Sequence, residues 1–138
     1  VELSISLHAA DDKTRQKLMP VNQKYPLRDL MKACQEYVAR TNRQITFEYI
    51  LLAGVNADLQ TARKLGILLQ GVRLAKVNLI PANVVPGSGL NQPVHEEISA
   101  FKQALLRAGI YATVRSSRGE DIEAACGQLR LRYEKNKP

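Results

Sequence analysis

Apolar residues recur along the chain with two alternating periods. Over residues 1–8, Leu3, Ile5 and Leu7 alternate with Ser4, Ser6 and His8, the period of two that gives a strand one apolar and one polar face. Asp11 and Asp12 then open a short helix to about Leu18, stopped by Pro20. Between Pro26 and Arg40, the residues Leu27, Leu30, Met31, Cys34, Tyr37 and Val38 fall three and four apart, the spacing of one helical face, which places Cys34 in the core. Period two returns over residues 44–52, with Ile45, Phe47, Tyr49 and Leu51 against Thr46 and Glu48. Gly54 and Asn56 form a turn, and Asp58 caps a helix to about Gln70. Residues 74–80 are a third strand, in which Lys76 and Asn78 alternate with Val77 and Leu79, and a Pro, Gly and Asn-rich loop covers residues 81–92. Pro93 starts a helix with the stripe Val94, Ile98, Phe101, Leu105 and Ala108, ended by Gly109; residues 110–115 are the last strand.

Strand and helix alternating in this order predict an α/β fold of parallel strands with helices packed outside. A doubly wound sheet, covered on both faces, has central strands that are apolar nearly throughout. These strands instead share a polar side: Ser4, Ser6, His8, Thr46, Glu48, Lys76, Asn78, Thr113 and Arg115. The simplest arrangement makes that side the lumen of a barrel, with a site where strands end and loops begin, at residues 8–10, 52–56, 80–83 and 115–126. Four strands do not close an ordinary barrel, and a strand that starts at the first residue predicts a fragment of a longer protein. No internal repeat, low-complexity tract or linker divides the 138 residues, so they read as one unit.

Lys and Arg number 20 against 13 acids, a formal charge of +7, which suits a polyanion such as RNA. Two cysteines, Cys34 and Cys126, are too few for a zinc tetrad or for the three or four thiolates of an iron–sulfur cluster. With no secretory leader and no apolar run of membrane length, the expected compartment is the cytoplasm, and no membrane is expected as a partner.

The chemistry concentrates near Cys126, in the stretch Val114-Arg115-Ser116-Ser117-Arg118-Gly119-Glu120-Asp121-Ile122-Glu123-Ala124-Ala125-Cys126-Gly127-Gln128-Leu129. Arginines favour the nucleophilic thiolate, acids oppose it, and Gly127 leaves room for close approach. Two readings stay open: a reactive thiol, or a short helix stopped at Gly127 with Cys126 packed inward. His8 either bonds a neighbouring carbonyl or serves the site. Glu48 pairs with Lys76 or Arg115 inside the sheet, as a buried charge partner, or faces a ligand. Asn83 either holds its loop or reaches into the site.

The run Arg118-Gly119, Asp121-Ile122, Ala124-Ala125-Cys126-Gly127-Gln128-Leu129 resembles the C-terminal signature of the radical-SAM RNA methyltransferases of the RlmN/Cfr family. Ser4-Ile5-Ser6-Leu7-His8-Ala9, Leu18-Met19-Pro20-Val21-Asn22, Thr46-Phe47-Glu48-Tyr49-Ile50-Leu51-Leu52 with Gly54-Val55-Asn56, and Lys76-Val77-Asn78-Leu79-Ile80-Pro81 with Asn83 and Pro86-Gly87 resemble it in order and spacing. Ala82 stands where the family often has an aromatic residue, and Val84 where it often has proline.

The resemblance implies that residues 1–138 are the C-terminal half of a radical-SAM partial (β/α) barrel. It implies S-adenosyl-L-methionine as cofactor, contacted by Ser6, Leu7, His8 and Asn83, and a 4Fe-4S cluster whose ligands lie outside this stretch, so that no metal ligand is expected in it. Cys126 would be the methyl-carrying cysteine, and the substrate an adenine of 23S ribosomal RNA and of transfer RNA. An electron donor to the cluster would be a further partner. The parent would be the enzyme, with this stretch inactive alone. A rival from another class is a basic RNA-binding module without cluster or catalysis.

Overall fold

In a computed structural model, which describes residues 3–19, 25–84 and 87–115, the two periods become strands and helices in strict alternation after the first helix pair. The order is β1 (Leu3–Ser6), α1 (Asp12–Leu18), α2 (Leu27–Thr41), β2 (Ile45–Leu51), α3 (Leu59–Gln70), β3 (Ala75–Pro81), α4 (His95–Arg107) and β4 (Tyr111–Val114). The sheet runs β1-β2-β3-β4, and every neighbouring pair is parallel. The predicted α/β class and parallel strands are therefore what the chain adopts.

Register makes each face a set of rows across the sheet. Ile5, Phe47, Val77 and Ala112 are aligned partners, as are Tyr49 and Leu79, on the side where α2, α3 and α4 pack, and Leu7 just after β1 joins the same core. Met31, Cys34 and Val38 from α2, Ala62, Leu65 and Leu69 from α3, and Phe101 and Leu105 from α4 join them in one buried core. Tyr49 and Phe101 meet at 5.3 Å between ring centroids, inclined by 42°. Each such large side chain, taken wholly out of water, contributes about 1.5–3 kcal/mol. Cys34 lies in this core as its helical spacing predicts, and burial pushes its thiol up to about 11. Gly66 faces the end of α4 so closely that a Cβ there would stand 2.8 Å from the Cβ of Ala108.

Helix ends follow their side chains. Asp11 accepts from the Thr14 amide at 2.7 Å and caps α1, while Asp58 caps α3 through Thr61. Asp12 reaches across the intervening segment to accept from the Leu27 amide at 2.8 Å, fixing the start of α2 against the start of α1. Gly109, at φ 82°, supplies the left-handed turn that ends α4. Val94 departs from its predicted place in the α4 stripe: it precedes the helix with an extended backbone (φ −77°, ψ 161°) and is 56% exposed, because the helical phase begins only after it.

The first strand is shorter than its alternation suggests. It ends at Ser6, and His8 adopts φ 61°, which turns the chain away from the sheet. The polar side also differs from a uniformly polar lumen. Ser6, Glu48, Asn78 and Thr113 align as one row, but Ile50 and Ile80 occupy the row beyond it. These two bury against Leu18, Leu52 and Ala82, with Met19, Val55, Val84 and Leu90 packed around them. The polar side thus becomes apolar at the C-terminal ends of the strands, where Leu18 of α1 covers it.

Candidate cofactor site at the strand ends

The residues singled out in the sequence come to the C-terminal edge of the sheet from two loops. Ser6 ends β1 with its side chain in the polar row, exposed, beside half-buried Glu48. Leu7 follows with its side chain wholly buried in the main core; its amide donates to the Glu48 carbonyl at 2.9 Å and its carbonyl accepts from Arg15 Nε at 3.2 Å. Asn83 lies two residues beyond β3, exposed, after Ala82 whose amide donates to the Leu51 carbonyl at 3.0 Å. Cys126 lies outside the described residues.

His8 is held from inside rather than offered freely. Its Nδ1 accepts from the Ile50 amide at 3.0 Å, so the ring proton resides on Nε2 and the imidazole is neutral. The sequence suggested a bond to a neighbouring carbonyl; the partner is an amide of β2, and the ring is the acceptor. Burial, and then the charge of Arg15, push the imidazole down from its usual range to about 4.

Two residues that are not among the candidate site residues of the sequence build this turn. Arg15, on α1, is 4% exposed and sends its guanidinium to the Leu7 and Ser6 carbonyls, at 3.2 and 3.3 Å. Its sequence position, in a short helix bearing Lys13 and Lys17, marks it only as one more surface cation. Asn56, read as a turn residue, does sit in that turn, but its side chain is wholly buried. Its Nδ2 donates to the His8 and Ile50 carbonyls, both at 2.8 Å, and its Oδ1 accepts from the Leu52 amide at 2.7 Å.

Among the described residues, the polar row is joined by an ion pair and a hydrogen bond. Arg115 approaches Glu48 at 4.0 Å, which selects Arg115 over Lys76 among the two candidate partners. The pair is not the buried one anticipated: the two side chains are 57% and 35% exposed, because Arg115 lies just beyond β4 at the sheet edge. Thr113 donates to Asn78 Oδ1 at 2.7 Å.

No protein-family model matches the chain. Among curated proteins it is 52% identical over 133 residues to the probable dual-specificity RNA methyltransferase RlmN of Caldanaerobacter subterraneus subsp. tengcongensis, covering 96% of this chain and 39% of that protein. The dual-specificity RNA methyltransferase RlmN of Syntrophobacter fumaroxidans matches with the same identity and the same coverage. A crystal structure of a radical SAM methyltransferase from Sphaerobacter thermophilus superposes with a TM-score of 0.84 at 49% identity, over 93% of this chain and 37% of that one. Over nearly its whole length the chain is homologous to one segment of the RlmN radical-SAM methyltransferases.

The chain spans about two fifths of the length of the curated RlmN relatives it matches. A domain of pyruvate-formate lyase-activating enzyme from Bacteroides vulgatus shares the fold, with a TM-score of 0.65 at 22% identity. Four parallel strands with outer helices are consistent with a stretch of the radical-SAM partial (β/α) barrel. Among the described residues, no group of three or more His, Cys, Asp or Glu could hold a metal, and no helix is long and apolar enough to cross a membrane.

Proposed function

We propose that this chain is the C-terminal half of the barrel of a radical-SAM RNA methyltransferase, in which the strand ends hold S-adenosyl-L-methionine and Cys126 carries the methyl group. The observation that carries this reading is identity near one half, over nearly the whole chain, to proteins named for RNA methyl transfer. The substrate is an adenine of ribosomal RNA and of transfer RNA, in keeping with the dual specificity in the relatives' names and with the formal charge of +7.

S-adenosylmethionine presents an amino-acid end, a ribose and a flat base, and a site for it needs polar groups beside an apolar wall. The row Ser6, Glu48, Asn78 and Thr113 supplies the polar groups, and the partly buried Val55, Val84 and Leu90, packed around the covered cluster of Ile50, Ile80 and Ala82, supply the apolar side. The exposed Ser6 hydroxyl and Asn83 amide are the groups placed to bond it, with the neutral His8 ring as a donor through Nε2. Leu7, whose side chain is spent in the core and whose amide is spent on Glu48, contributes through the remaining lone pair of the carbonyl that Arg15 holds. When bound, this cofactor supplies the methyl group and the radical chemistry of the transfer, while the protein supplies position. An iron–sulfur cluster does not fit the described residues, whose one cysteine is buried Cys34; its ligands belong elsewhere in the parent.

The role of Cys126 comes from the resemblance of its run to the family signature, and its chemistry suits that role: a thioether holds one carbon through a stable bond, and Gly127 beside it lets a nucleobase approach. Peptide mass spectrometry on the full-length parent, purified from its host, checks this. A methyl group on Cys126 is the expected result. An unmodified Cys126 in cluster-loaded protein supplied with S-adenosylmethionine overturns it and leaves a basic RNA-binding module as the better reading.

A further inference from the structure

The geometry points to Asn56 as a positioning residue that never touches the cofactor but sets the turn presenting Ser6 and His8 to it. This rests on the proposed function for the identity of the ligand, and on the fold alone for the turn.

Asn56 is 0% exposed, so it cannot itself line an open site. Both ends of its side-chain amide are spent on backbone: two donors go to the carbonyls of His8 and Ile50, and the oxygen takes the amide of Leu52. Its main chain is tied as well, donating to the Leu52 carbonyl at 3.2 Å and accepting from the Tyr49 hydroxyl at 2.8 Å. One side chain therefore joins the exit of β1 to the exit of β2, 48 residues apart for His8 and 6 for Ile50. No other residue type combines two donors and one acceptor on so short a stem.

The joint matters because of what it holds. His8 has φ 61°, a backbone region that a side-chain-bearing residue occupies only when its surroundings enforce it. The enforcement is visible: Asn56 grips the His8 carbonyl, the Ile50 amide grips its ring, and Arg15 grips the carbonyls just before it. A bond network concentrated on this turn, rather than spread along the strands, is what presentation of a ligand-facing pair requires. Without Asn56, the His8 carbonyl loses its donor and the ring loses the geometry that keeps Nδ1 on the Ile50 amide.

The test uses the full-length parent, with Asn56→Asp, which swaps the two-donor nitrogen for one oxygen facing two carbonyls, and Asn56→Ala, which removes the donors without adding charge. Leu69→Ala, a cavity in the core under α3, supplies a matched loss of stability far from the turn. Two quantities are read on folded protein: the dissociation constant for S-adenosylmethionine by equilibrium binding, and the His8 imidazole titration by nitrogen NMR. Both Asn56 variants are expected to weaken S-adenosylmethionine by about tenfold or more and to move the His8 titration upward from about 4 toward 6.5, with Leu69→Ala changing neither. An unmoved histidine titration in the Asn56 variants, or equal effects from Leu69→Ala, overturns the assignment. Should the unmutated parent fail to bind S-adenosylmethionine while the titration moves, the proposed function fails and the control of the turn by Asn56 stands.

Discussion

The turn after β1 and the turn after β3 supply residues to the same proposed site by opposite means. His8 is buried, left-handed and bonded through ring and backbone, with Asn56 beneath it and Arg15 beside it. Asn83 is exposed, on a loop joined to β2 by the Ala82 amide before it and to the segment following β2 by the Ala53–Asn91 bridge after it. The difference separates two duties within one site. A residue whose placement depends on fold energy couples ligand binding to stability, whereas a residue on a surface loop changes binding alone.

Acid is the strongest means of separating the two turns. In the unfolded chain the His8 imidazole takes up its proton near 6.5, and in the folded protein only near 4. Between those values the unfolded state binds more protons, so stability falls as pH drops from 6.5 to 4 and is fully present above 6.5. The expected loss across that window is about 3 kcal/mol, measured as the change in urea midpoint with pH. His8→Asn, which tolerates the left-handed backbone and keeps an acceptor, is expected to flatten the profile. A parent profile already flat over this range would contradict the internal role of the ring.

Much of this architecture can be read in the sequence, and the reasons it stops are physical. Periodicity reports which side a residue faces, so all four strands, the helices and the core place of Cys34 follow from it. It does not report what covers a face, and so Ile50 and Ile80, in strands that otherwise look one-sided, give no sign of the second cluster under Leu18. Nor does it mark a polar residue that is buried because backbone groups need it. Asn56 carries the signature of any turn asparagine, and Arg15 that of any helix cation, until the carbonyls they satisfy are brought to them from β1. The pairing of Glu48 with Arg115 was among the anticipated options, but its exposure depended on where β4 ends.

Arg15→Met comes next in size. The substitution keeps the stem that packs in α1 and removes the charged donors to the Ser6 and Leu7 carbonyls, for an expected cost of about 2 kcal/mol. Thermal unfolding reads the loss, and amide exchange at Leu7 and Ile50 should rise before exchange at Leu79 in the middle of the sheet. Uniform loosening across β1 to β3 would sink the idea that Arg15 acts on the turn. The smallest effect belongs to the other loop: Asn83→Ala is expected to alter stability by less than about 0.5 kcal/mol, while weakening S-adenosylmethionine binding. A fall in melting temperature as large as that of Arg15→Met would erase the contrast between the two turns.

The in-line register of Ser6, Glu48, Asn78 and Thr113 makes the site sensitive to a kind of change that substitution cannot mimic. Loss of a single codon inside β2 would shift every later side chain of that strand to the opposite face, sending Glu48 toward the core and a core aromatic toward the ligand. Loss of two would restore the faces but displace the row by one step along its neighbours. The gene can therefore vary in length through the 71–74 connection far more freely than within Ile45–Leu51, and a library of codon deletions would trace the strands of this sheet as silent gaps among the survivors.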